Sequence, residues 1–353
     1  MRSNTLMLFA AQTLIAALMI AAQPSAQSQT LTPFDPTGST STFPFSINPT
    51  GAITGIYSDA SFAIHGFVRD ADGTITTFDA PDAAQGTFPQ QINPAGTIAG
   101  YYTDANSVNH GFVRAADGTI SIFDVPAAGT GSFQGTSASS INPAGMITGY
   151  YVDANGLHGF VRAVDGRFTT FDVPGSQTTQ PVSINPGGEI TGNYLFELGT
   201  SGFSVPRGFL RAVDGTITVN VDPADTFESN PGAINPNGTI VGDYQDDIVG
   251  AFHFFLRSKG GVLTTFDVPG VNRVFSTPTF NQGGTVIGPY QDTNGVFHSF
   301  LRPAHGAITI IDAPGAGTNF FQGTSVSSIN PAGTIAGHYT DTNYMAHGFV
   351  WRK

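Results

Sequence analysis

Apolar and polar residues alternate along this chain in short bursts, and the bursts recur. The cleanest stretch runs from Ile92 to Pro126. Within it Thr97–Tyr102, His110–Arg114 and Thr119–Asp124 approach the two-residue period of half-buried strands. No segment outside the first 26 residues sustains a helical period. The bursts are separated by two kinds of punctuation. Asn-Pro-x-Gly, as at Asn142–Gly145, is a type I turn signature, with Pro at the second place and Gly at the fourth. Asp-Gly, as at Asp117–Gly118, joins two apolar runs in the manner of a tight hairpin. Each unit therefore reads as four short strands, A to D, with turns A–B and C–D short and connections B–C and D–A longer.

The unit occurs seven times. Its Asn stands at Asn48, Asn93, Asn142, Asn185, Asn235, Asn281 and Asn330, and nine residues later comes Tyr57, Tyr102, Tyr151, Tyr194, Tyr244, Tyr290 or Tyr339. Strand C then ends on Arg69, Arg114, Arg162, Arg211, Arg257, Arg302 and Arg352. Repeats of about 40–50 residues with four strands each are the mark of β-propeller blades. Leu31–Pro36 reads as a strand D with nothing before it, and His347–Arg352 as a strand C with nothing after it. The expectation is an all-β, seven-bladed propeller over residues 31–353, closed by the first strand completing the last blade. An open solenoid leaves the split unit unexplained.

Hairpin geometry places chemistry on this frame. Residues equally distant from the C–D turn face each other. The expected pairs are His65 with Asp79, His110 with Asp124, His158 with Asp172, His253 with Asp267, His298 with Asp312, and His347 with Asp35. In the fourth repeat Arg207 replaces His, opposite Asp222. Six equivalent histidines around a ring do not converge on one metal, so a structural reading is preferred. The arginines and strand-D aspartates are expected to form a polar network inside each blade. A second Asp recurs in the B–C connection: Asp59, Asp104, Asp153, Asp246, Asp292 and Asp341. These are Asx-type turn residues or, alternatively, shallow sites for calcium or sugar hydroxyls. Beyond that calcium option no cofactor is expected. The B–C and D–A connections emerge on one face, which is the candidate binding surface.

Composition narrows the partners. A formal charge of -12 with only two lysines, Lys259 and Lys353, argues against nucleic acid. The absence of cysteine removes disulfides and thiol chemistry. Residues 1–26 resemble a signal peptide: Arg2, then an apolar run from Leu6 to Ala22, then small residues up to Ala26. A membrane anchor is the alternative for this run; no other stretch is apolar enough to span. An exported monomer, periplasmic or extracellular, is expected.

Symmetry breaks at the fourth repeat, where the B–C loop from Leu195 to Pro206 is long. All three glutamates, Glu189, Glu197 and Glu228, lie in this region. Glu197 with Glu228 is the candidate for acid–base work on a glycosidic bond; Glu189 belongs to an A–B turn, on the other face.

The units, Ile-Asn-Pro-x-Gly-x-Ile-x-Gly-x-Tyr followed by His-Gly-Phe-Val-Arg, resemble the extracellular HAF-type repeats of bacterial secreted proteins over residues 31–353, with His-Gly-Phe where that family has His-Ala-Phe. The resemblance implies an exported bacterial protein of tandem β-rich repeats and assigns no activity to any residue. The reading that follows is a non-enzymatic binding or scaffold module for a glycan or an envelope protein. The rival is a polysaccharide hydrolase or lyase using the fourth-blade region or the central channel.

Overall fold

The computed structural model describes residues 30–197, 204–224, 226–248 and 250–352. The expected signal segment, 1–26, lies outside them. The described residues form strands and turns with no helix, so none is long and apolar enough to cross a membrane.

One strand, β1 (Thr30–Phe34), precedes the first repeat. Repeat 1 comprises β2 (Ser41–Ile47), β3 (Ile53–Ser58), β4 (Ile64–Arg69) and β5 (Ile75–Phe78). Repeat 2 is β6 (Gly86–Ile92), β7 (Ile98–Thr103), β8 (Asn109–Arg114) and β9 (Ile120–Phe123). Repeat 3 is β10 (Gly135–Ile141), β11 (Ile147–Val152), β12 (Leu157–Arg162) and β13 (Phe168–Phe171). Repeat 4 is β14 (Thr179–Ile184), β15 (Ile190–Glu197), β16 (Ser204–Arg211) and β17 (Ile217–Val219). Repeat 5 is β18 (Glu228–Ile234), β19 (Ile240–Gln245), β20 (Phe252–Arg257) and β21 (Leu263–Phe266). Repeat 6 is β22 (Thr279–Phe280), β23 (Val286–Gln291), β24 (Phe297–Arg302) and β25 (Thr309–Ile311). The last three strands are β26 (Gly323–Ile329), β27 (Ile335–Thr340) and β28 (Ala346–Arg352). Every repeat is an antiparallel meander in sequence order, and β1 pairs antiparallel with β28, Phe34 opposite Gly348.

The core lies between neighbouring sheets. Val68 and Ala80 of repeat 1, for example, pack on Ile92, Ile98, Tyr102 and Phe112 of repeat 2. The Phe of strand C is fully buried in each repeat, from Phe67 and Phe112 through Phe300 and Phe349. A glycine precedes it in five repeats, Phe254 and Ser299 in the other two, and in repeats 1 and 2 the glycine has a steric reason. A Cβ on Gly111 would sit 2.4 Å from the Phe123 ring, and one on Gly66 2.8 Å from Phe78. Strand D thus sets an aromatic ring against the glycine of strand C.

The repeat asparagine does more than start a turn. Asn142 Oδ1 accepts the amides of Ala144 and Met146, each at 3.0 Å, while its Nδ2 donates to Asn185 O of the next repeat at 3.3 Å. The same link runs Asn48 to Asn93, Asn93 to Asn142, Asn185 to Asn235, Asn281 to Asn330, and Asn330 back to Asn48. A second ladder starts two residues before the asparagine. Ser46, Gln91, Ser140, Ser183 and Ser328 each accept the amide of the following repeat's last strand-A residue, Ile92, Ile141, Ile184, Ile234 and Ile47. Strand β2 accordingly packs against β26, β27 and β28.

Two sequence expectations are corrected. The strand-C arginines do not form a polar network within their own sheet. Arg69 lies over Phe34, Arg114 over Phe78, Arg162 over Phe123 and Arg211 over Phe171, at 4.8 to 5.0 Å from ring to guanidinium. Each of those rings belongs to the strand D that precedes the arginine's own repeat, so these are contacts between neighbouring repeats, and a planar cation prefers the ring face there. Arg352 is not the seventh member. Trp351 stands opposite Ile335, the place Arg69 holds opposite Ile53, and Arg352 pairs with Thr30.

Candidate binding face

Each B–C turn is built by its Asp. Asp104 Oδ1 accepts the amides of Asn106 and Val108, both at 2.8 Å, and Asp59, Asp292 and Asp341 hold their turns through the equivalent pair of amides. Asp153 caps a turn one residue shorter, and Asp246 caps the amide of Asp247. Hydrogen bonds to the charged form lower a carboxyl pKa. The Ser61 hydroxyl does so first for Asp59, the Val108 amide for Asp104 and the Asn155 amide for Asp153. Desolvation is the largest influence on Asp292 and Asp341 and acts upward, but the turn amides outweigh it.

The second carboxylate oxygen faces a histidine, except at Asp153, where the oxygen that caps the turn does so. His65 Nε2 is 3.6 Å from Asp59, and its Nδ1 is 2.9 Å from Asp79. The same three residues meet at His110 with Asp104 and Asp124, and at His158 with Asp153 and Asp172. They meet again at His253 with Asp246 and Asp267, His298 with Asp292 and Asp312, and His347 with Asp341 and Asp35. A carboxylate stands at each ring nitrogen, so the ring meets both as a donor only when doubly protonated. The repeat tyrosine lies against the imidazole, Tyr57 on His65 with centroids 5.0 Å apart. Burial, then the two carboxylates, push Tyr290 up to about 12. Repeat 4 substitutes Arg207, 3.0 Å from Asp222 and hydrogen-bonded to the hydroxyl and carbonyl of Thr226. Among the described residues no three His, Asp or Glu converge to hold a metal ion.

The long B–C loop of repeat 4 is partly strand. Leu195 pairs with Pro206 and Glu197 with Ser204, so the hairpin is extended rather than loose, and residues 198–203 lie outside the described residues. Glu197 is exposed at its end, while Glu228 opens β18 opposite Gln245. Nothing joins these two carboxylates directly. Glu189 is tied to Lys259 at 3.2 Å and to Asn185 at 2.8 Å, in the A–B turn.

Two buried titratable groups escaped the sequence reading. The strand-B position before the repeat tyrosine is Ile56, Tyr101 and Tyr150 in the first three repeats, but Asn193, Asp243, Pro289 and His338 in the others. Asp243 accepts from Asn230 at 3.3 Å and keeps one oxygen without a partner. Burial, with Glu228 adding to it, pushes its carboxyl up to about 7. His338 packs edge-on to Phe43 at 4.9 Å, and burial lowers its pKa to about 4. The readable signal was Gly-Asp-Tyr and Gly-His-Tyr standing in for Gly-Tyr-Tyr.

Strand A from all seven repeats lines one further cavity. Its register shifts between Pro44 and Ser46, and at the matching place in five other repeats. The bulged residues, Phe45, Gln90, Ser139, Val182, Gly232 and Ser327, all reach a cavity of about 180 Å³ that carries no charged side chain. Bulges re-aim side chains in this way.

No family model matches the chain, and no curated protein matches it. Solved structures do. A streptogramin B lyase is similar at 14% identity and a TM-score of 0.58, covering 91% of this chain and 97% of that one. Virginiamycin B lyase from Staphylococcus aureus gives 14% and 0.59, over 92% and 100%. The lectin BP39L from Burkholderia pseudomallei gives 9% and 0.53, over 89% and 98%. At such identities the likeness is one of fold: an all-β arrangement of the β-propeller kind.

Proposed function

We propose that this chain is an exported, seven-bladed β-propeller whose B–C and D–A face binds a glycan without chemical turnover. Repetition carries the reading. The arrangement of one Tyr, one His and two Asp stands in six places. Equivalent sites suit multivalent hold on a repeating polymer, whereas a reaction needs one unequal set. The seven-blade count and ring closure draw support from the pairing of β1 with β28 and from the Asn330 to Asn48 link. Export draws support from Arg2 and the apolar run behind it, and from the HAF-like repeats. The lectin BP39L shares the fold, which makes glycan binding a compatible use of it. One oxygen of each loop Asp is held by its turn, and in Asp104, Asp153, Asp292 and Asp341 the other accepts the side-chain amide of the turn Asn, so in this reading sugar hydroxyls meet the lone pairs that remain on the second oxygen.

The test is a glycan array run beside a polysaccharide-degradation screen. Binding without new reducing ends or unsaturated products is the expected result. Turnover that disappears in Glu197→Gln would establish an enzyme instead.

A further inference from the structure

The B–C turns of repeats 1, 2, 6 and 7 are built alike. Phe62, Ser107, Gly295 and Tyr344 occupy one position, each donating its amide to the carbonyl of the turn Asp at 3.0 to 3.2 Å. The position demands a left-handed backbone: φ is 66° at Phe62, 62° at Ser107, 78° at Gly295 and 64° at Tyr344. Glycine meets that demand without steric cost, and repeat 6 uses it. Repeats 1 and 7 instead place large aromatic residues there, where an L side chain is strained. The rings gain nothing from the fold, for Phe62 is 84% exposed and Tyr344 57%.

The D–A connections repeat the observation. Phe133 and Phe321 hold φ of 64° and 63°, and their amides dock on the carbonyls of Ser107 and Gly295 in the turns just described. Phe133 is 81% exposed. Phe320 lies against Phe321 at 4.2 Å and covers Gly295, while Phe275 meets Phe297 at 5.8 Å. Phe62, Phe133, Phe275, Phe320, Phe321 and Tyr344 therefore all stand on one face, over repeats 6, 7, 1 and 2. Those repeats are consecutive, because β2 packs on β26, β27 and β28. At Phe62, Phe133 and Tyr344, the most exposed of the four strained rings, strain kept with so little packing return points to use; Phe321 stacks on Phe297 at 6.1 Å.

We propose that this aromatic arc is the glycan-binding track, and that its ligand is a polysaccharide without acidic groups. The inference rests on the glycan reading above and narrows it to a surface and a substrate class. Exposed rings stack on the C–H face of a pyranose. The same turns carry Asp59, Asp104, Asp292 and Asp341, whose carboxyls their own amides hold ionised. With a net charge of -12 this face repels uronate and sulfate polymers and anionic lipid alike, and its carboxylates suit hydroxyl or amino groups.

The experiment compares the full chain with Phe62→Gly/Tyr344→Gly and with Phe133→Gly. Ser107→Gly, which relieves the same backbone strain without removing a ring, is the control. Probes are laminarin, mannan and chitosan oligosaccharides against alginate and hyaluronan, with phosphatidylglycerol vesicles as a further arm. The aromatic variants should melt no lower than the parent while binding falls by about tenfold or more; the control should bind unchanged. Parental binding in the aromatic variants overturns the arc and leaves the glycan reading standing. Preference for alginate, or capture by the vesicles, overturns the substrate class. A parent chain that binds none of the glycans removes the inference together with the reading beneath it.

Discussion

Phe34→Ala tests whether the first strand belongs to the last sheet. Phe34 sits in β1, yet its ring is buried between elements more than 300 residues apart in sequence. It packs in one cluster with Ile47, Ile53, Phe67, Ala336 and Val350. Phe67 meets it edge-on at 5.9 Å, Arg69 lies 4.9 Å above it, and Gly348 is bare to admit it. Truncating a buried Phe costs about 3–5 kcal/mol, from lost transfer energy and the cavity left behind. Loss of the cation–π contact adds about 1–2 kcal/mol, since Arg69 and Phe34 are both buried. Against a native stability of about 5–15 kcal/mol, that is a large fraction. Equilibrium urea unfolding by tryptophan fluorescence is a suitable assay, because Trp351, the one tryptophan, lies opposite Leu31 of β1. The midpoint should fall steeply. The internal counterpart Phe123→Ala, which removes a ring from under Arg162 and beside Phe160, should lose a similar amount. A loss below about 1 kcal/mol for Phe34→Ala alone, a value typical of surface changes, would refute the docking of β1.

Two other measurements bear on the frame and on its buried charge. Asn142→Ala should destabilise by about 1–3 kcal/mol in the same assay, since the buried Asn185 O loses its donor and the partly buried amides of Ala144 and Met146 lose their acceptor; Asn155→Ala, in an exposed turn, should fall within about 0.5 kcal/mol and is the comparison. Asp243→Asn should stabilise the protein at pH 8 and leave it nearly unchanged at pH 3. Burial raises this carboxyl from 3.8 to about 7, so its ionisation is resisted by the fold. Its adverse contribution is absent below the unfolded value, grows as pH rises between the two values, and levels off above the folded one, at roughly 4 kcal/mol at most. Melting curves across that range in which the Asn variant gains nothing at high pH would remove the assignment.

The strands, the hairpins and the apposition of His65 with Asp79 were legible because they are local. A strand period, an Asp-Gly turn and equal spacing about Asp72 fix them within 15 residues of chain. What joins one sheet to the next was not legible in that way. The Asn-Pro-x-Gly motif looked complete as a turn, and the use of Asn142 Nδ2 on Asn185 O depends on where another repeat arrives. Arg69 seemed to want a carboxylate, and found the ring of Phe34 because β1 comes from the far end of the chain. The exposed aromatic residues illustrate the opposite failure. Phe62 and Tyr344 look ordinary in a sequence with 29 Phe and 10 Tyr. They become informative only beside Gly295, once the three are seen to share one left-handed turn position. Repetition is what makes the comparison possible: a position solved cheaply in one copy and expensively in two others isolates a demand that folding does not make. By the same logic the uniform Asp–His–Asp sites say little about which ligand is chosen. On the proposed reading, the residues that differ between copies, on the aromatic arc and at the bulge facing the strand-A cavity, are the ones free to choose it.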